Sequence, residues 1–88
     1  MTRYRVIILP RAIEDLSRLD KSVSQRIVDK IEWMSGQMES ITPVPLKGVL
    51  SGFCKLRVGD WRVIYQIDHA EEEISIHRVG HRKEIYKV

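Results

Sequence analysis

The sequence contains only one cysteine, Cys54, among its 88 residues. A lone cysteine cannot form a disulfide within the chain, and it cannot supply a cysteine-based metal cluster. This usage fits a reducing compartment, and we expect the protein to act in the cytoplasm.

Long apolar runs are missing as well. The longest one near the start, Val6 to Leu9, is closed by Pro10. It is too short for the apolar core of a signal peptide or for a membrane span. We therefore expect no membrane partner.

The usual signatures of cofactor and metal sites do not occur either. Gly48 and Gly52 have neither the spacing nor the following Lys-Ser/Thr of a phosphate-binding loop. The histidines at 69, 77 and 81 are not accompanied by a carboxylate pattern typical of a metal site. The sequence predicts no cofactor and no metal.

Charge is abundant and unevenly distributed. The formal net charge is +3, and from residue 45 onward there are eight lysines or arginines against six acidic residues. Four of those acids lie between Asp68 and Glu73. The positive charge of this half is therefore concentrated away from that connection, which favours an anionic partner.

The first half of the chain is predicted to form one strand and two helices. Tyr4 to Leu9 is β-branched and apolar, and Pro10 suits the first turn of a helix. Apolar residues then recur at helical spacing, with Asp20 as a cap for the second helix and Gly36 as its end. Residues 37–52 lack periodicity and are predicted to be a connection.

The second half is predicted to be an antiparallel meander. Its strands are residues 53–58, 61–68 and 73–79, followed by an interruption at Gly80 and a short strand or a loose tail. The chain is too short for a second domain, so residues 1–88 form one domain. We predict an α+β fold in which a helical hairpin packs on one face of a four-stranded sheet.

The other sheet face carries the candidate site. Side chains alternate along a strand, so Lys55 and Arg57 share one face while Leu56 and Val58 take the other. Val58-Gly59-Asp60 has hairpin turn chemistry, which brings Arg62 back beside them. Because facing like charges destabilise a sheet, these bases, with Arg82, indicate a bound anion.

Such a face can hold phosphates and do chemistry on RNA. Arginine cannot act as a base, whereas lysine, histidine and tyrosine can move protons. RNA supplies its own nucleophile, because its 2′-hydroxyl can attack the adjacent phosphate to give a 2′,3′-cyclic phosphate and a 5′-hydroxyl. His81, which precedes Arg82, is a candidate base or phosphate ligand. Tyr86 is either a packing residue or a group that reaches this face.

Three stretches together resemble the RelE/ParE toxin superfamily of type II toxin–antitoxin systems. They are Leu46-Lys47-Gly48, residues 55–65 (KLRVGDWRVIY) and residues 78–86 (RVGHRKEIY). The resemblance covers nearly the whole chain and implies the RelE-like fold. For the RelE branch it implies a metal-independent endoribonuclease that cuts mRNA in the ribosomal A site and so inhibits translation. It also implies a cognate antitoxin, through which alone the toxin would meet operator DNA.

The resemblance assigns roles residue by residue. Lys55 is similar to the catalytic lysine of the family, Arg62 and Arg82 to its phosphate-stabilising arginines, and Tyr86 to its C-terminal tyrosine. RelE has a second lysine where Phe53 stands here. Another branch uses a Glu and a His, and His81 keeps part of that variant open. The expected substrate-binding residues are Arg57, Lys47 and Lys83.

Two other functions stay open at this stage. The ParE branch shares the fold but inhibits DNA gyrase and lacks the nuclease residues. An inactive member of the superfamily would serve only as a binding partner or corepressor. The joint presence of Lys55, Arg62, Arg82 and Tyr86 favours the RelE-like nuclease.

Overall fold

The computed structural model describes residues 3–86 as one sheet with two helices on one of its faces. The order along the chain is strand, two helices, and then four strands. The elements are β1 (Arg5–Ile8), α1 (Pro10–Ser17), α2 (Lys21–Ser35), β2 (Val44–Pro45), a 3₁₀ turn (Gly48–Leu50), β3 (Cys54–Val58), β4 (Trp61–Asp68) and β5 (Glu73–His81).

The sheet has five strands in the order β1-β5-β4-β3-β2. β1 lies parallel to β5, and the other neighbours are antiparallel. The predicted α+β architecture and helical hairpin are confirmed, but the four-stranded count was wrong. Val44 and Pro45, within the predicted connection, pair with Lys55 and Cys54 as a short edge strand.

The core lies between the helices and one sheet face. Ile27, Ile31 and Met34 of α2 are almost fully buried against the central strands. The strand residues in this cluster alternate along β4 and along β5 as far as Ile76, as expected for a sheet covered on one side. They are Val58, Val63, Tyr65, Ile74, Ile76 and Val79. We call this the helix-covered face and the opposite side the open face.

Two local predictions about helix ends and strand ends need correction. Asp20 occupies the N-cap position of α2, but its side chain makes no capping hydrogen bond. Gly80 does not interrupt the last strand, which continues to His81. A Cβ atom at Gly80 would lie 2.9 Å from Cδ1 of Ile85, so glycine lets the C-terminal turn approach the strand.

An ion pair holds α1 against the part of β5 that β1 does not cover. Arg78 Nε and Nη2 donate to the Asp15 carboxylate at 2.8 and 3.2 Å, and the Val79 amide donates to Asp15 Oδ2 at 2.9 Å. Burial alone would raise the pKa of Asp15, but these hydrogen bonds and the charge of Arg78 hold it below its ordinary value of 3.8. Asp15 therefore closes the exposed edge of β5.

We expect Asp15→Asn to lower the free energy of unfolding at pH 7 by about 1–2 kcal/mol, because it weakens a charge-assisted bond while Arg78 keeps partial solvation. The lowered pKa means that the carboxylate stabilises the fold above pH 3.8 and loses this effect as pH falls through the folded-state pKa. Urea unfolding at pH 7 and pH 3 checks both points. Glu39→Gln, at an exposed position with no ion pair among the described residues, is the control.

Candidate functional site

Three cations converge on the open face through the register of the β3–β4 hairpin. Arg57 lies directly opposite Arg62, and Lys55 lies opposite Ile64, the next residue of β4 on the same face. Directly opposed Cβ atoms are about 4.5–5.5 Å apart, and diagonal neighbours such as Lys55 and Arg62 about 7–8 Å. We call Lys55, Arg57 and Arg62 the basic cluster.

The basic cluster has no internal counterion. Among residues 3–86, the ion pairs within 4.0 Å involve Arg5, Arg18, Arg78 and Arg82, and none involves a member of the cluster. Like charges directly opposed on a sheet are destabilising. The positive charge of the cluster is therefore uncompensated within the described residues.

Two arginines are anchored at the turn that joins β3 to β4. Arg62 Nη1 donates to the carbonyl oxygens of Gly59 at 2.9 Å and Trp61 at 2.8 Å. The Arg82 amide donates to the Asp60 carbonyl at 2.8 Å, and its Nε lies 3.7 Å from Asp60 Oδ1. Gly59 has φ +58°, which suits glycine at the first position of this two-residue turn. The turn thus positions the guanidinium group of Arg62 and the backbone of Arg82.

The C-terminal turn brings Tyr86 to the basic cluster. The turn begins where the amides of Glu84 and Ile85 donate to the His81 carbonyl, both at 2.9 Å. Lys55 Nζ then lies 5.9 Å from the centroid of the Tyr86 ring. The Tyr86 hydroxyl is buried and has no hydrogen-bond partner among the described residues. An aromatic group with an uncommitted hydroxyl therefore stands beside the lysine.

Three other predicted site residues, His81, Lys47 and Lys83, lie outside the basic cluster. His81 pairs with Trp61, on the helix-covered side of the strands, and the two rings meet edge to face at 5.4 Å. The structure therefore does not group His81 with Lys55. Lys47 is exposed after β2, beyond the opposite end of β3 from Arg57. Lys83 is exposed in the C-terminal turn, and its amide donates to His81 Nδ1 at 3.2 Å.

His77 is a neighbour of the cluster that sequence reasoning left unassigned. A bulge makes Ile64 pair with Arg78 and Tyr65 with Ile76, so His77 has no partner in the register. Its ring meets Phe53 edge to face at 4.9 Å, and its Nε2 is buried without a partner among the described residues. Burial lowers the pKa of His77, so the ring is neutral at pH 7. Nothing in the sequence signals the bulge.

A cavity lies on the open face next to the basic cluster rather than in it. Its volume is about 430 Å³, and it lies towards the β4–β5 turn. Its lining is mostly polar and consists of Gly52, Gln66, Ile67, Asp68, His69, Glu73 and Ser75. The open face thus has a cationic part and a separate, concave polar part.

Fold and site together define a class: a small α+β domain whose open face carries cations without an ion-pair partner among the described residues. The family model described as "ParE toxin of type II toxin-antitoxin system, parDE" matches residues 6–86. The chain therefore belongs to this family of type II toxins.

Individual relatives show that the chain is RelE-like. It is 28% identical to Toxin RelE of Mycobacterium tuberculosis (strain ATCC 25618 / H37Rv), over 97% of this chain and 88% of that protein. The toxin–antitoxin complex RelBE2 of M. tuberculosis contains a chain of similar fold, with a TM-score of 0.84, 28% identity, and coverage of 96% of this chain and 97% of that chain. The archaeal RelE–RelB complex of Pyrococcus horikoshii OT3 shares the fold, with a TM-score of 0.73, 23% identity, and coverage of 94% and 99%.

None of the helices formed by residues 3–86 is long and apolar enough to cross a membrane.

We expect Arg57→Gln to weaken binding of single-stranded polynucleotide without destabilising the protein. The substitution removes one of two opposed like charges, so the melting temperature should stay level or rise. Loss of one phosphate contact should reduce the slope of log K against log salt by about 0.7. Fluorescence anisotropy with labelled poly(U) at several salt concentrations measures this slope.

The control for this measurement is Lys21→Gln, which removes one charge from the exposed start of α2. An equal loss of affinity in both variants would mean that net charge, and not the basic cluster, controls binding.

Proposed function

We propose that this toxin is a ribosome-dependent endoribonuclease that cleaves mRNA in the A site. The observation that carries the proposal is the basic cluster, in which Lys55, Arg57 and Arg62 share one face and have no carboxylate partner among the described residues. The position of Tyr86 beside Lys55 supports it. Different side chains would then bind the phosphate and transfer protons.

The reaction would use the substrate's own nucleophile. The 2′-oxygen bonds to phosphorus as the bond to the 5′-oxygen breaks, leaving a 2′,3′-cyclic phosphate and a 5′-hydroxyl. Arg62 and Arg82 neutralise the charge that builds on the phosphate oxygens. Lys55 takes the proton of the 2′-hydroxyl or stabilises the transition state as a cation, and Tyr86 protonates the leaving oxygen or orients the substrate.

Arginine would have only an electrostatic role in this scheme. It stays protonated at any working pH, so Arg57, Arg62 and Arg82 bind and stabilise charge but transfer no proton. His81 is left out because its ring lies against Trp61, away from Lys55. The side chains that move protons are thus reduced to Lys55 and Tyr86.

We expect Arg82→Ala to reduce the cleavage rate by about a hundredfold to a thousandfold, because it removes a charge-stabilising group from the transition state. Its side chain is half exposed, so the fold should persist. Lys55→Ala should act in the same direction. The measurement is mapping of RNA ends, with detection of the 2′,3′-cyclic phosphate, on translated and naked mRNA.

Arg11→Ala, at an exposed position of α1, is the matched control and should cleave at the wild-type rate. Full cleavage by Arg82→Ala would remove that residue from the mechanism. Equal cleavage of naked and translated mRNA would contradict the dependence on the ribosome.

A gyrase-inhibiting toxin of the ParE type is the second candidate, because the matching family model carries that name. This candidate predicts that expression of the toxin triggers a DNA-damage response and leaves mRNA intact. In-frame cuts in mRNA without that response favour the nuclease.

We also propose that a cognate antitoxin covers the basic cluster with an acidic or amphipathic segment. Solved relatives of this fold are toxin–antitoxin complexes, which supports an antitoxin partner. Uncompensated cations are complementary to acidic side chains, and such complementarity speeds association and selects partners. Any contact with operator DNA would then run through the antitoxin.

Lysine footprinting tests this antitoxin site. Reaction of Lys55 with an acetylating reagent should fall at least severalfold when the antitoxin is bound, as measured by mass spectrometry. Lys21, on the exposed start of α2, serves as the internal control. Equal protection of both lysines, or of neither, would place the antitoxin elsewhere.

A further inference from the structure

The cavity beside the basic cluster lies one step further along the same face. Ile64 is opposite Lys55, and Gln66 is two residues further along β4. Two residues of strand span about 6.6–6.8 Å. Gln66 pairs with Ser75, and Asp68 pairs with Glu73 at the far end of the cavity. The distance from Lys55 and Ile64 to the cavity is therefore about the length of one nucleotide.

Two polar groups of the cavity are uncommitted. No side-chain hydrogen bond within residues 3–86 involves Gln66 or Ser75, although both are only partly exposed. The two carboxylates each have one protein partner. Asp68 Oδ1 accepts from the Glu71 amide at 3.0 Å, and Glu73 Oε2 accepts from Arg5 at 2.6 Å. Each carboxylate keeps a second oxygen for a ligand.

The charge of the cavity selects against phosphate and for a neutral polar group. Asp68 and Glu73 repel anions, so the phosphate belongs on the basic cluster and not here. The volume of about 430 Å³ falls in the range of about 300–1,000 Å³ that is typical of small-molecule sites. Ile7, opposite Ser75 on β1, is 36% exposed and adds an apolar side chain to the same row. A flat, neutral heterocycle with hydrogen-bonding edges meets these conditions.

We propose that this cavity binds the nucleobase adjacent to the scissile phosphate and that Gln66 and Ser75 read its edge. The inference rests on the proposed nuclease function, because it takes the basic cluster as the phosphate site. Single-stranded RNA exposes base edges that proteins read by hydrogen bonds. The open face then separates the two halves of a nucleotide, with phosphate on the cations and base in the polar cavity.

The carboxylates determine which bases fit. Asp and Glu accept hydrogen bonds from exocyclic amino groups, and the Gln66 amide can donate and accept at once. Adenine, cytosine and guanine carry an amino group, whereas uracil does not. The cavity therefore favours the three amino-bearing bases over uracil at this position.

Binding and cleavage of matched RNAs test the inference. Four mRNAs that differ only in the base next to the cut are presented on translating ribosomes for cleavage, and four short RNAs with the same bases carry a 2′-deoxy sugar there so that binding is measured without cleavage. Wild type should bind uracil about tenfold more weakly than at least one amino-bearing base. Gln66→Ala and Ser75→Ala should reduce this ratio towards one. Gln25→Ala, on α2 against the other sheet face, should leave it unchanged.

The outcomes separate the two proposals. Wild-type cleavage with equal affinity for all four bases, or a base preference that survives both substitutions, would overturn the nucleobase site and leave the nuclease standing. Failure to cleave any RNA, naked or translated, would overturn the nuclease. In that case the 2′-deoxy set still decides, because a base preference lost in Gln66→Ala supports the cavity and an absent preference rejects it.

Discussion

The pairing of β3 with β4 is the constraint on which the site depends. A slip of one residue would turn every side chain of β3 to the other face. In the observed register, Val58 enters the core while Lys55 and Arg57 stay on the open face. Burial of the apolar alternates therefore holds the cations in place, since a one-residue slip would expose Val58 and bury Lys55 and Arg57. The Gly59–Asp60 turn fixes the same register and also anchors Arg62 and Arg82.

Some cations of the protein are neutralised by a carboxylate, whereas in the described part of the chain those of the basic cluster are not. Arg78 is neutralised by Asp15, and this pair closes the edge of β5 against α1. The basic cluster has no such partner within the described residues, although Arg57 and Arg62 lie directly opposite each other. An internal carboxylate would have stabilised the free protein. The unneutralised charge is thus a stability cost of the kind that proteins retain at functional sites.

Much of the fold could be predicted from the sequence because its signals are local. Alternation places Lys55 and Arg57 on one face, and the glycine-containing turn indicates the hairpin. β2 has only two residues, which is too few to show the alternation by which a strand is recognised in a sequence. The bulge at His77 shifts the pairing between β4 and β5, and nothing local to the sequence encodes such a shift. His81 is predicted to belong to the site because it precedes Arg82, but it pairs with Trp61 on the helix-covered side.

Phe53 shows how this face differs from a purely cationic one. The resemblance to RelE sets a second lysine at this position, but here an aromatic side chain meets His77 edge to face. Burial lowers the pKa of His77, so this pair adds no positive charge at neutral pH. The cationic part of the open face then ends at Lys55, and Gln66 and Ser75 follow along the strands. A phosphate bound by Lys55 and Arg62 would therefore have the uncharged polar groups of Gln66 and Ser75 on one side, which is the side proposed for its base.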